Sequence, residues 1–213
     1  MAAYDLEEQE QLASLKLWWK ENGGLVTTTL SIVLIALAAW QGWNYYQRNQ
    51  AAQASALYDM VQKAARANDL KQVRESAGAI LEQYPRTTYA AMAALVSAKA
   101  HFEGGDLKTA RAQLTWVTEN AKDEAMQDIA RLRLASVMLD EKDYDNALKV
   151  LDAKHGKAFD AQFLATKGDV FVAQGKKDEA RNAYKDALQK TDVKDAGLRA
   201  SVQLRLDALG TTK

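Results

Sequence analysis

The chain contains no cysteine, one proline (Pro85) and two histidines (His101 and His155). Without thiols there is no disulfide framework, no thiolate zinc site, no cysteine nucleophile and no acceptor for a lipid anchor. Charge of either sign is missing from the stretch between Glu21 and Arg48. Runs of β-branched residues are scarce after residue 46, which argues against sheet. Alanine, leucine, lysine, glutamine and glutamate fill that region instead, and all are good helix formers. The expected class is all-α. Lys plus Arg and Asp plus Glu both number 28, so no basic field gathers nucleic acid phosphates, and nucleic acid is excluded as a partner.

The uncharged stretch has at its centre Leu30-Ser31-Ile32-Val33-Leu34-Ile35-Ala36-Leu37-Ala38-Ala39-Trp40. As a helix, Leu25 to Trp43 spans about 28 Å, close to the hydrocarbon thickness of a lipid bilayer. A transmembrane helix is expected over residues 25–46. Trp18 and Trp19 precede it, and Trp40, Trp43, Tyr45 and Tyr46 lie at its far end, placing amphipathic rings for both headgroup regions. Hydroxyls of Thr27, Thr28, Thr29 and Ser31 can bond back to carbonyls one turn earlier, so they strand no donor in lipid.

Residues 1–24 carry five carboxylates against Lys16 and Lys20 and read as a short tail. Leu12, Leu15 and Trp19 share one face of a helix from Leu6 to Trp19, which fits a membrane surface. Asn22-Gly23-Gly24 is expected to break the helix as a C-terminal cap does. Ala36-Leu37-Ala38 resembles a signal-peptide cleavage site, but the acidic leader and the aromatic cluster that follows argue against cleavage. Two lysines before the span and Arg48 alone close behind it favour a cytoplasmic N-terminus. The C-terminal domain then lies across the membrane, in the periplasm of a Gram-negative cell.

Residues 47–213 repeat. The clearest unit runs from Ala161 to about Lys194, with Leu164, Gly168, Phe171, Gly175, Ala180, Tyr184 and Ala187 at tetratricopeptide spacings. Gly168 and Ala180 leave room where two antiparallel helices cross, while Phe171 and Tyr184 fill the space beside them. Ala110 and Ala147 align with Ala180 and mark two more degenerate units, turning at Gly104-Gly105-Asp106 and at 140–144. A poorer first unit pairs a helix near 52–67 with one from 70 to 84, split at Asn68-Asp69 and stopped by Pro85. After the fourth unit, Leu198, Val202, Leu204, Leu206 and Leu209 continue as the stripe of a capping helix. About four helix pairs plus that cap make a helical-repeat solenoid; a generic helical bundle is the alternative.

In such solenoids the first helix of each pair lines the concave surface. The pattern positions give a candidate protein-binding groove of Met92, Leu95, Lys99 and Phe102, then Ile129, Leu132, Ser136 and Leu139, then Gln162, Ala165, Asp169 and Val172. The groove reads as largely apolar and lacks the Lys, Arg and Asn ring that clamps a C-terminal carboxylate. It suits an extended or helical segment with apolar side chains; the alternative is that these residues are core or are covered by the chain's own helices. His101 and His155 have no second histidine at ligand spacing, Gly175-Lys176 lacks the remainder of a phosphate loop, and the acidic pairs fall on solvated faces or turns. No catalytic constellation, metal site or cofactor is expected.

The chain resembles the YfgM-like family of ancillary SecYEG translocon subunits along nearly its whole length. The resemblance rests on Trp18-Trp19-Lys20-Glu21-Asn22-Gly23, Gly42-Trp43-Asn44-Tyr45-Tyr46, Leu132-Arg133-Leu134-Ala135, Ala147-Leu148-Lys149 with Leu151-Asp152, and Gly175-Lys176-Lys177-Asp178-Glu179-Ala180-Arg181, in that order. It implies a single-pass bacterial inner-membrane protein with a cytoplasmic tail and a periplasmic tetratricopeptide-like domain. It also implies association with the SecYEG translocon and with a membrane-anchored periplasmic chaperone of the prolyl-isomerase type, assisting newly exported clients. A scaffold for another envelope assembly, such as cell division or secretion, is the alternative.

Overall fold

A computed structural model describes the backbone of residues 2–210 and the side chains of residues 7–210. The side chain of Leu6 in the expected tail helix, and residues 211–213 at the end of the expected repeat domain, lie outside the described residues. The chain divides into two compact bodies, residues 1–49 and 50–213.

The first helix, α1, runs from Ala2 to Arg66 without interruption. The expected break at Asn22-Gly23-Gly24 does not occur, and neither glycine has a positive φ. Asn22 Nδ2 donates to the carbonyl of Trp18 at 3.1 Å, which is a bond within the helix and not a cap. A Cβ on Gly23 would meet the Trp19 indole at 3.1 Å, so this glycine seats a ring against the backbone. Thr27, Thr28 and Thr29 donate to the carbonyls of Gly23, Gly24 and Leu25 at 2.7–2.8 Å, as hydroxyls inside an apolar span must.

Beyond residue 50, α1 is the first member of four helix pairs. It pairs with α2 (Leu70–Gln83); α3 (Thr88–Glu103) pairs with α4 (Leu107–Asn120), α5 (Glu124–Asp140) with α6 (Tyr144–Leu151), and α7 (Asp160–Ala173) with α8 (Lys177–Lys190). A final helix, α9 (Ala196–Ala208), follows. All regular elements among the described residues are helical.

The repeat is explicit in the turns. Two residues past each first helix stands a residue with positive φ: Asn68, Gly105, Lys142 and Gly175. The amide after each of these donates five residues back, Asp69 to Ala64, Asp106 to His101, Asp143 to Met138 and Lys176 to Phe171, at 2.8–3.0 Å. This is the Schellman closure, in which a left-handed residue lets two otherwise orphaned carbonyls find donors. Asp69 and Asp106 then cap the next helix by accepting from the amides of Gln72 and Thr109.

One small residue per unit, four positions past the cap, is sealed from solvent: Val73, Ala110, Ala147 and Ala180. In the fourth pair, a Cβ on Gly168 would come within 2.4 Å of the Tyr184 ring, so this crossing requires glycine. Adjacent units are tied by an arginine just after the small residue. Arg74 meets Asp106 at 2.5 Å, and Arg111 meets Glu141 and Asp143 at 2.6 and 2.9 Å. Arg181 donates to the Gly210 carbonyl at 3.0 Å. The third-to-fourth junction carries Leu148 and Lys176 at the corresponding positions, so both halves of the tie are replaced together.

That junction is built otherwise. The carboxylate of Asp128, 2% exposed, binds Arg131 at 2.7 Å and accepts the Gly156 amide at 2.9 Å. A buried carboxylate is costly unless its oxygens find donors, and here those donors fix the connector between α6 and α7.

At the C-terminal end, Val202 is buried against Ala165, Ala180, Tyr184 and Ala187, with Leu198, Leu206 and Leu209 packed around them. Leu204, read as part of this stripe, is 72% exposed. Two residues beyond Val202, it lies about 200° around the helix from the buried face.

Candidate protein-binding groove

The pattern positions fall into four groups. Lys99 and Phe102 on α3 and Ser136 on α5 line one cleft of about 360 Å³, together with Ala98, Glu103, Leu114, Arg133 and Val137. Met92, Leu95, Leu132 and Leu139 are partly buried and pack against the hydrophobic core; Ile129 and Gln162 are half-buried as well. Val172 is exposed.

Two positions of the fourth unit are taken by the chain itself. Ala165 is buried under α9. Asp169 accepts from the Tyr184 hydroxyl and from Arg205, both at 2.7 Å. Burial raises the Asp169 carboxyl above the ordinary aspartate value, opposed by Tyr184 and Arg205. Burial and the adjacent carboxylate also raise the Tyr184 phenol. This trio locks α7, α8 and α9 together, so Asp169 serves the cap and is not open groove.

A second cleft of about 280 Å³ adjoins the first and shares Lys99 and Glu103 with it. It is lined by Gln62, Ala65, Arg66 and Asn68 at the end of α1 and its turn, and by Val96 and Ala100 on α3. The line of clefts thus begins on α1, one unit before the first predicted position. Arg66, Glu103 and Arg133 were not among the predicted residues, because the pattern indexes single helices whereas each cleft is walled by two. The signal available in the sequence was charge next to a groove position: Glu103 follows Phe102, and Arg133 follows Leu132.

Neither histidine lines either cleft. His101 is fully buried, with Nδ1 2.9 Å from the Ser97 carbonyl. His155 stacks on Phe163 with ring centroids 3.9 Å apart, and its Nδ1 lies 2.9 Å from the Ala153 carbonyl. Among the described residues no three metal-binding side chains come together.

In the N-terminal body, α1 is long and apolar enough to cross a membrane. Leu34 and Ile35 are 57% and 69% exposed, with no protein surface over them. Trp18 and Trp19 lie 6.5 Å apart before the apolar run, and Trp43 and Tyr46 lie 6.0 Å apart at its end. Trp40 and Tyr45 are also exposed, so aromatic side chains project at both ends of the uncharged stretch, as at bilayer interfaces.

A family model described as a tetratricopeptide repeat-like domain matches residues 16–211. A protein of Neisseria gonorrhoeae named "Ancillary SecYEG translocon subunit" is 34% identical over 213 residues, covering 98% of this chain and all of the relative. A Haemophilus influenzae protein of the same name is 34% identical over 88% of this chain and 91% of its own length. One from Escherichia coli, again so named, is 29% identical over 95% and 96%. The apolar stretch 25–46 and the helix pairs beyond residue 50 lie within residues 16–211, and the chain belongs to the tetratricopeptide repeat-like family that includes the ancillary SecYEG translocon subunits.

Proposed function

We propose that this protein is a single-pass bacterial inner-membrane scaffold that works beside the Sec translocon and has no enzymatic activity. Residues 1–24 form a cytoplasmic tail, 25–46 cross the membrane, and 47–213 form a periplasmic repeat domain. That domain holds a membrane-anchored prolyl-isomerase-type chaperone near emerging chains and itself touches apolar segments of exported clients. The observation that carries the reading is the near end-to-end match with a relative named for the translocon, apolar stretch included. Two lysines before the span against one arginine close behind it support the orientation. Tethering matters because two partners confined to one membrane gain effective concentration without any new contact.

Binding uses the concave face, with Lys99, Phe102 and Ser136 lining its cleft and Leu95, Ile129, Leu132 and Leu139 half-buried along the same helices. The test is photo-crosslinking from Phe102 in the full-length chain within native membranes. Adducts with SecYEG subunits or the chaperone are expected. Adducts with a division or other secretion assembly, and none with the translocon or the chaperone, would overturn the reading. A reporter active on one side of the membrane, fused after residue 213, tests the orientation.

A further inference from the structure

The two adjoining clefts differ from the remainder of the chain in charge. Formal charge sums to zero over the whole sequence, yet the clefts are rimmed by Arg66, Lys99 and Arg133 against a single carboxylate, Glu103. Glu103 meets Lys99 at 3.7 Å, a loose pair between exposed side chains that contributes little. Arg66 touches only the Gln62 amide oxygen, at 3.4 Å. Among the described residues neither Arg66 nor Arg133 has a carboxylate partner. Elsewhere Arg74, Arg111, Arg131, Arg181 and Arg205 hold carboxylates at 2.5–2.8 Å; of the arginines without such a partner, Arg66 and Arg133 are the ones that line these clefts. Between Arg66 and Arg133 lie the exposed Lys99–Glu103 pair and the apolar Ala98, Leu114 and Val137, and Phe102 stands 37% exposed over the 360 Å³ cleft, a volume in the range of sites that take bulky apolar groups.

Taking the concave face as the binding face, we infer that its occupant is an acidic amphipathic segment of a partner protein, with large apolar side chains flanked by side-chain carboxylates. The apolar groups fill the cleft beside Phe102, and the flanking carboxylates meet Arg66 and Arg133. Arginine suits this use because its planar fork takes a carboxylate through two parallel bonds. Rim charges of this kind chiefly set the encounter rate and reject wrong partners, so a lysine-flanked segment of equal apolarity should be refused.

The probes are three fluorescein-labelled peptides of equal length: leucine-rich with glutamate flanks, the same with lysine flanks, and glutamate-flanked with serine for leucine. Binding is read by anisotropy to the full-length chain in nanodiscs of zwitterionic lipid. The glutamate-leucine peptide should bind about tenfold more tightly than either control, as two rim pairs and one apolar anchor allow. Arg66→Glu with Arg133→Glu should weaken it about tenfold, strengthen the lysine-flanked peptide, and leave the melting temperature unchanged, since both side chains are exposed. Phe102→Ala should weaken both leucine-rich peptides. Equal binding of glutamate- and lysine-flanked peptides with Phe102 still required would overturn the charge preference and leave the groove standing. Binding indifferent to Phe102 would remove the groove, and this inference with it.

Discussion

Two stretches of α1 share one backbone conformation and differ in everything their side chains meet. Between 25 and 46 the apolar residues Leu25, Leu30, Ile32, Leu34, Ile35, Leu37 and Trp40 are exposed all round the helix. Between 50 and 66 only one face is apolar and sealed: Ala54, Tyr58, Val61 and Ala64 are buried, whereas Gln53, Met60 and Lys63 are open. A helix apolar on every side needs a solvent that is itself apolar, and a helix with one apolar stripe needs a packing partner. The helical state is common to both stretches; the period of hydrophobicity assigns the environment.

The same substitution at two points of this helix should therefore have separate effects. Val61→Asp would bury an unpaired charge and destabilise the repeat domain by about 4 kcal/mol, read as a fall in melting temperature with membrane association unchanged; Ala180→Asp should behave alike. Ile35→Asp should cost about 3 kcal/mol of membrane insertion, read by carbonate extraction, with the melting of the repeat domain unchanged. If either variant impaired both properties, the two stretches would not be independent.

Within the repeat domain, glycines sharpen the contrast between packed and open positions. Gly168→Ala drives a methyl into the Tyr184 ring and should cost about 2 kcal/mol in urea unfolding. Gly78→Ala, in mid-helix with nothing within 4 Å of the added carbon, should stabilise by about 0.5 kcal/mol.

The smallest effect concerns acid. Hydrogen bonds from Thr109 lower the Asp106 carboxyl, with Arg74 adding less; Asn146 and then Arg111 lower that of Asp143. Their contribution is complete above the ordinary aspartate pKa of about 3.9 and is lost as pH falls through the lowered folded values. Asp106→Asn with Asp143→Asn should make the acid limb of stability against pH shallower. Asp169 works the other way: its raised carboxyl is protonated more readily in the folded state, which gains stability on acidification, so Asp169→Asn should steepen that limb.

Much of this was legible from residue types. Ala110, Ala147 and Ala180 marked the helix crossings because only a small side chain fits there, and the uncharged run marked the span because nothing in it could meet water. Gly23 misled, since a glycine that seats a neighbouring indole looks the same in sequence as one that ends a helix. Lys142 was hidden, because a lysine does not announce a left-handed φ; only its three counterparts, Asn68, Gly105 and Gly175, suggest the conformation. The groove was half legible: Lys99, Phe102 and Ser136 come together, but Asp169 is claimed by Arg205, 36 residues away, a pairing that no local pattern encodes.

The most direct test of the two-environment helix uses the chain's lack of cysteine, which makes any introduced thiol the only one. Single cysteines placed along 25–66 in native membranes are treated with a membrane-impermeant maleimide. The expected result is uniform protection from 25 to 46, then helical periodicity, with 60 and 63 reactive and 54, 58, 61 and 64 protected. Helical periodicity already present between 25 and 46 would mean that water reaches one face of that stretch, and would contradict the account.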